Sequence, residues 1–249
     1  IFIYALLATP LSGTGVDIYV PSLPNITHYF GTSNALVQLS ISIYLFGYGL
    51  FSLFFGPLAD SIGRKKPLYF GSILFMISSY LITLSSIIQV FLFFRLLQGI
   101  AIAAIASVSR AVIPDVFNGK DYRRVINMTT IAWSLGPIVA PYIGGYIDHI
   151  IGWKGSFYTL CGYGVALLCC QLFILPETIK EKRTFSVKEL GSRYKLMITK
   201  LDFLTTAILC GLVYSFIIIF NTVGPFLIQD ILHYSSISYG KTALLMGLA

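Results

Sequence analysis

Apolar residues run along this chain in stretches of about twenty, each closed by glycine, proline or charge. The runs at 1–20, 36–55, 68–86, 87–113, 125–147, 155–175 and 203–228 each have the length that crosses a bilayer as a helix, and an eighth begins near Tyr239. The pattern predicts an all-α membrane protein with seven helices and part of an eighth. Pro21 and Pro24 are expected to close the first run, because proline removes a helical donor and clashes with the preceding turn. Between the second and third runs the chain turns within twelve residues, 56–67, where Asp60, Arg64, Lys65 and Lys66 must face water. The one long hydrophilic stretch lies at 176–202. It divides the chain into a six-helix transmembrane bundle at 1–175, a linker at 176–202 and the incomplete start of a second bundle at 203–249. Both ends fall inside apolar runs, which is the pattern expected of a piece of a longer protein.

Composition supports the membrane reading. Hydrophobic residues make up 56% and charged residues 11% of the chain, where soluble domains carry about 25% charged residues. A net charge of +7 would suggest nucleic acid in a soluble protein, but here the cations sit in short loops. Arg64, Lys65 and Lys66 follow the second run, and Lys120, Arg123 and Arg124 follow the fourth. Lys180, Lys182, Arg183, Lys188, Arg193, Lys195 and Lys200 follow the sixth, while the alternate loops hold only Lys154 and Lys241. Such asymmetry places the cation-rich loops and the amino end in the cytoplasm, makes the lipid bilayer the partner and sets nucleic acid aside. Cys161, Cys169, Cys170 and Cys210 lie within apolar runs and read as packing residues. His28, His149 and His233 fall in the opposite loops and make no metal-ligand pattern.

Three charges, Asp17, Arg95 and Arg110, lie inside the runs, where each costs roughly 2.5–3.5 kcal/mol on insertion scales and therefore tends to face a cavity or a partner. Asp17 stands near the outer end of the first run and Arg95 about eight residues into the fourth, with Gln98 one turn further on. Their matching depth predicts an acid–base pair in a substrate cavity, with Asp17 exchanging a proton; the alternatives are a structural ion pair or a wetted aspartate. Tyr19, Tyr44, Tyr48, Trp133, Tyr163 and Tyr214 are candidates for the cavity wall, with Gln38, Gln98 and Asn221 adding polarity. Small residues at fourfold spacing, Gly99, Ala103, Ser107 and Ala111 and then Gly136, Ala140 and Gly144, predict close helix contacts. Pro137 and Pro141 add kinks to the second set. No nucleophile–base set and no phosphate-binding Gly-x-x-x-x-Gly-Lys sequence occurs, so neither an enzyme with catalytic residues nor a cofactor is expected.

The hairpin residues Gly56, Pro57, Leu58, Asp60, Gly63, Arg64 and Lys65 resemble the signature loop between the second and third helices of the major facilitator superfamily. Asp17-Ile18-Tyr19-Val20-Pro21-Ser22-Leu23-Pro24 is similar to the signature of the bicyclomycin/chloramphenicol-resistance (Bcr/CflA) branch of drug:proton antiporters, and Ser109-Arg110-Ala111 fits that branch. Arg95-Leu96-Leu97-Gln98-Gly99 is similar to a fourth-helix motif whose arginine the family associates with proton transfer. Gly136-Pro137, Pro141 and Gly144-Gly145 resemble the antiporter motif of the fifth helix.

The resemblance implies the major facilitator fold: twelve helices in two halves built of inverted repeats around a midplane site, about seven and a half of them present here. It implies a cytoplasmic latch of Gly56, Asp60, Gly63, Arg64, Lys65 and Arg110, and proton coupling through Asp17 and Arg95. The implied activity is secondary active export of small amphipathic compounds in exchange for protons by alternating access. Such a protein is expected to be a monomer in a bacterial inner membrane. A transporter of one metabolite, sugar or siderophore and a truncated non-transporting remnant are the alternatives.

Overall fold

The computed structural model describes residues 1–179, 181–182 and 184–248. Lys180 and Arg183 of the loop count, and Ala249 at the end of the last predicted segment, lie outside the described residues. The helices are α1 (Phe2–Ala8), α2 (Leu11–Asp17), α3 (Leu23–Phe30), α4 (Asn34–Ile62), α5 (Lys65–Thr83), α6 (Ile88–Val116), α7 (Gly119–Ile151), α8 (Trp153–Phe173), α9 (Val187–Ile198), α10 (Leu201–Phe226) and α11 (Ser236–Leu248). A 3₁₀ turn at Val20–Ser22 precedes α3, and a π turn at Leu227–Ile231 extends α10.

The first run departs from expectation. Pro21 and Pro24 do not end it: each occupies a first-turn position, of the 3₁₀ turn and of α3, where a missing N–H costs no hydrogen bond. The chain therefore continues as a broken helix from Phe2 to Phe30, and Gly31 ends it in the left-handed conformation at φ 56°. Most of the expected polar connection is helical.

The hairpin is shorter than its composition suggests. α4 runs through Pro57 to Ile62, Gly63 turns the chain at φ 102°, and α5 starts at Lys65. Pro57 cannot donate to the carbonyl four residues earlier, Leu53, and the Tyr194 hydroxyl of α9 donates to that carbonyl at 2.6 Å. The hydrophilic linker is thus partly helical and held against α4.

α6 is the centre of the bundle: Ala101 through Ala106 are all buried. A methyl on Gly99 would strike the Tyr44 carbonyl of α4, one on Gly47 would lie 3.0 Å from the Leu96 carbonyl, and one on Gly71 of α5 would lie 2.9 Å from the Ala101 carbonyl. Gly99 of α6 and Gly47 of α4 therefore set how closely those two helices approach, and Gly71 of α5 does the same against Ala101 and Ala104. α7 packs in the same way, with Gly144 against the Ile18 carbonyl and Gly145 against the Ser236 carbonyl of α11.

Among the described residues five segments are long and apolar enough to cross a membrane: Phe2–Phe30, Asn34–Ile62, Ile88–Val116, Trp153–Phe173 and Leu201–Ile231. α5 and α7 fall short of that measure. α5 opens on two lysines and carries Ser72, Ser78 and Ser79, and α7 opens on Lys120, Asp121, Arg123 and Arg124. Phe46, Phe93, Ile131, Phe173 and Phe216 are exposed, a distribution that calls for lipid rather than water around the helices. α10 buries only its second half, at Asn221, Gly224, Pro225 and Phe226. The chain after the linker therefore meets the bundle at the end away from the hairpin and stands apart from it at the hairpin end.

Candidate functional site

Asp17 ends α2, is 4% exposed, and accepts a 2.7 Å hydrogen bond at Oδ1 from Asn221 Nδ2 of α10. The Tyr239 hydroxyl of α11 donates to Asn221 Oδ1 at 3.4 Å. A carboxylate of the first run is thereby joined to two helices from beyond the linker. Gln38 Nε2 of α4 donates to the Thr222 carbonyl at 3.0 Å, adding a second tie one residue along.

Arg95 is fully buried. Its Nη1 donates to the Gly15 carbonyl at 3.1 Å and to Gln98 Oε1 at 2.5 Å, and Gln98 Nε2 passes the chain on to Ser79 Oγ at 2.6 Å. The guanidinium lies 4.4 Å from the ring centres of both Tyr19 and Tyr44. Its Nε and Nη2 make no hydrogen bond among the described residues, so the two ring faces are what meet that part of the charge. The Tyr19 hydroxyl is 2.8 Å from Ser40 Oγ and the Tyr44 hydroxyl donates to the Ser12 carbonyl, so both rings are held in place.

Asp17 and Arg95 do not form the expected ion pair: among the described residues neither makes a salt bridge. The reason is helical phase. Arg95 meets α2 at Gly15, and two residues further on is about 200° round the helix. Asp17 consequently faces α10, while Arg95 faces α4 and a ring cluster. Matching depth was legible in the sequence; direction round the axis was not.

The candidate cavity residues separate into groups. Tyr48, Trp133 and Tyr214 line one cavity of about 260 Å³, together with Arg110. Arg110 and Trp133 also line a second, of about 240 Å³, with Thr9, Thr129 and Thr130. Tyr19, Tyr44 and Gln98 are buried around Arg95 instead, and the Tyr163 hydroxyl donates to the Leu7 carbonyl at 2.6 Å.

The hairpin builds a separate network. Arg64 Nη1 lies 2.6 Å from Asp60 Oδ1, and its Nε lies 2.9 Å from Asp115 Oδ2 at the end of α6. Thr178 Oγ1 donates to the same Asp115 oxygen at 3.1 Å. Glu177 accepts the backbone N–H groups of Arg64, Lys65, Thr178 and Ile179. Burial by itself would raise the Glu177 carboxyl, but these four donors outweigh it and hold it below its ordinary value. A side chain at Gly63 would meet Glu177 Oε2, and Lys65 Nζ lies 5.6 Å above the Tyr69 ring. A methyl on Gly56 would meet nothing within 4 Å, and the structure gives no reason for a glycine there. Arg110, expected here, is elsewhere: it precedes Asp115 by five residues, about 140° round the helix, and faces Trp133.

Sequence reasoning missed Asp115, Glu177 and Thr178. The available signal was a carboxylate just past each of two apolar runs. Asp115→Ala strips Arg64 of one of its two carboxylates and is expected to cost about 1.5–3 kcal/mol, the value of hydrogen bonds to a charged group. Glu189→Ala breaks the exposed Arg193–Glu189 pair, 2.6 Å, and is expected to cost under about 1 kcal/mol. Thermal midpoints in detergent compare the two, and equal shifts would refute the stabilising role of the hairpin network.

The model of the Major Facilitator Superfamily matches residues 5–249. The chain is similar to Multidrug resistance protein MdtL of Shewanella oneidensis, 31% identical over 235 residues, which are 94% of this chain and 59% of that protein. It is also similar to the Bicyclomycin resistance protein homolog of Haemophilus influenzae, 32% identical over 189 residues, 76% of this chain and 48% of that one. The chain thus spans about 59% or less of the length of these relatives. Its fold matches the crystal structure of a bacterial homolog of the human lysosomal transporter Spinster, solved inward-facing and unoccupied. The TM-score is 0.72 over 99% of this chain and 58% of that one, at 18% identity. With helices paired in this way, and a family match that omits only the first four residues, the chain belongs to the major facilitator superfamily.

Proposed function

We propose that the protein serves in secondary active multidrug efflux, exporting small amphipathic compounds in exchange for protons by alternating access. In this reading 1–175 is the first six-helix bundle, 176–202 a cytoplasmic linker and 203–249 the opening of the second bundle. The protein acts as a monomer in a bacterial inner membrane with its amino end in the cytoplasm, an orientation that the cation-rich loops support. The names of its relatives, multidrug resistance protein and bicyclomycin resistance protein homolog, support the substrate class.

The observation that carries the reading is the Asp17–Asn221 contact, a buried carboxylate held by an amide across the two parts of the chain. A proton taken up or released at Asp17 changes what Asn221 binds, so it changes the energy of the closed contact relative to a separated one. That difference is what a ligand needs in order to shift a two-state equilibrium. Contacts at the end away from the hairpin, with α10 free at the hairpin end, support a state open toward the cytoplasm. The Arg64 network then stands on the side that must close in the opposite state.

The test uses everted membrane vesicles containing the full-length transporter, with an acid interior and labelled chloramphenicol outside. One unit of pH gradient is worth about 1.4 kcal/mol per proton, so one-for-one exchange permits up to about tenfold accumulation. Accumulation that disappears when the gradient is collapsed supports antiport. Equal uptake with and without the gradient would overturn it.

A further inference from the structure

Arg110 is the one charge shared by the two cavities beside α7, and neither cavity is lined by a carboxylate among the described residues. The hydroxyls around it are committed to their own helices. Thr9 donates to the Ala5 carbonyl at 2.6 Å, Thr129 and Thr130 to that of Ile126 at 2.9 Å, and Ser12 to that of Thr9 at 3.3 Å. The Arg110 guanidinium, the Trp133 indole N–H and the Tyr48 and Tyr214 hydroxyls make no side-chain hydrogen bond among the described residues. Arg110 is exposed and its helix turns it away from Asp115, so the hairpin carboxylates do not neutralise it. What remains is a concave surface with one cation, uncommitted N–H and O–H donors and broad aromatic faces.

We propose that Arg110 selects the charge of the transported compound while Trp133 holds its ring system, and that this site takes aromatic amphipaths bearing a carboxylate or sulfonate. The proposal rests on reading these cavities as part of the transport path. The fit is chemical. A planar guanidinium meets a carboxylate with two parallel N–H donors, which an ammonium ligand cannot satisfy and which repel it. The indole and phenol rings cover the ligand's apolar body, and their polar edges add donors where the acceptors lie. Each cavity, about 260 and 240 Å³, is smaller than the roughly 300–1,000 Å³ of ordinary small-molecule sites, but they share Arg110 and Trp133 and together reach that range, enough for one or two six-membered rings. An anion held here also offsets a cation that otherwise lies in the membrane-spanning part of α6.

Binding to the purified full-length protein in nanodiscs, without any gradient, tests this. The probes are three naphthalene compounds of one shape: 1-naphthaleneacetate, 1-naphthaleneacetamide and 1-naphthylethylammonium. The acetate is expected to bind about tenfold or more tighter than the ammonium, a conservative value for a hydrogen bond to a charged partner. Arg110→Gln should bring acetate down to the amide's affinity and leave the amide within about twofold, Arg110→Lys should keep the preference, and Arg110→Glu should reverse it. Trp133→Ala should weaken all three by a similar factor. Equal affinity of acetate and ammonium in the unmodified protein, absence of binding by all three, or an unaltered preference in a monodisperse Arg110→Gln sample would each overturn the proposal. Charge-selective binding in a protein that shows gradient-driven uptake of neither labelled chloramphenicol nor labelled 1-naphthaleneacetate would refute antiport while leaving the site in place, so the two failures are distinguishable.

Discussion

Asp17→Asn is expected to reduce gradient-driven accumulation to the level seen with the gradient collapsed, a loss of up to about tenfold at one pH unit. The substitution keeps the shape of the side chain and an oxygen at the position of Oδ1, so the 2.7 Å hydrogen bond from Asn221 Nδ2 can still form. What it removes is the ability to be charged in one state and protonated in another. Expression, monodispersity and thermal midpoint should stay close to those of the unmodified protein, and downhill exchange of labelled for unlabelled compound should continue. Asn221→Ala makes the opposite change: it keeps the ionisable group and deletes its partner on α10. It is expected to slow transport without abolishing the response to the gradient. Full uphill accumulation by Asp17→Asn, at normal expression, would remove Asp17 from the coupling step and leave the contact with Asn221 as packing between the two parts of the chain.

The sequence disclosed helices more readily than the geometry around them. Runs of twenty apolar residues set the number of long helices, because backbone groups in hydrocarbon must bond within their own segment. Boundaries failed at proline. Pro21, Pro24, Pro57 and Pro114 all read as ends, yet first-turn positions tolerate proline and a neighbouring side chain can take up the freed carbonyl, as Tyr194 does for Leu53. The site shows the same division. The presence of Asp17 and Arg95 at depth was legible because charge in an apolar run is conspicuous. That Asp17 meets a residue 204 positions away, and that Arg95 lies between two tyrosine rings, depends on helix phase and tertiary packing that no local pattern carries.

These two features have a common support. Gly15, whose carbonyl takes Arg95 Nη1, and Asp17 lie in the short α2, and the chain leaves it through Ile18. The Ile18 carbonyl accepts Ser156 Oγ of α8 at 3.1 Å and also faces Gly144 of α7. The break in the first run is therefore held from two helices at one backbone group. Aspartate and arginine sites that are separate in chemistry share this mechanical anchor.

Gly144→Ala is expected to be the most damaging conservative change in the described helices. Helix propensity alone argues the other way, since alanine is favoured over glycine by about 1 kcal/mol in a helix interior. The added methyl, however, would overlap the Ile18 carbonyl, which is backbone and has no rotamer to escape into. α7 would have to move off α2, loosening the Ser156 bond and carrying Gly145 away from Ser236 of α11. Overpacking against side chains costs about 1–3 kcal/mol, and an obstacle of backbone places this substitution at about 3 kcal/mol or more. Gly49→Ala in α4 and Gly162→Ala in α8 are the controls, because nothing lies within 4 Å of either added methyl. They should match or slightly exceed the thermal midpoint of the unmodified protein, as propensity predicts, while Gly144→Ala lowers it and the yield of monodisperse protein together. If all three variants were equally stable, α7 would not be seated on Ile18, and the position of Asp17 would have to be fixed by Arg95 of α6, Ser156 of α8 and Asn221 of α10.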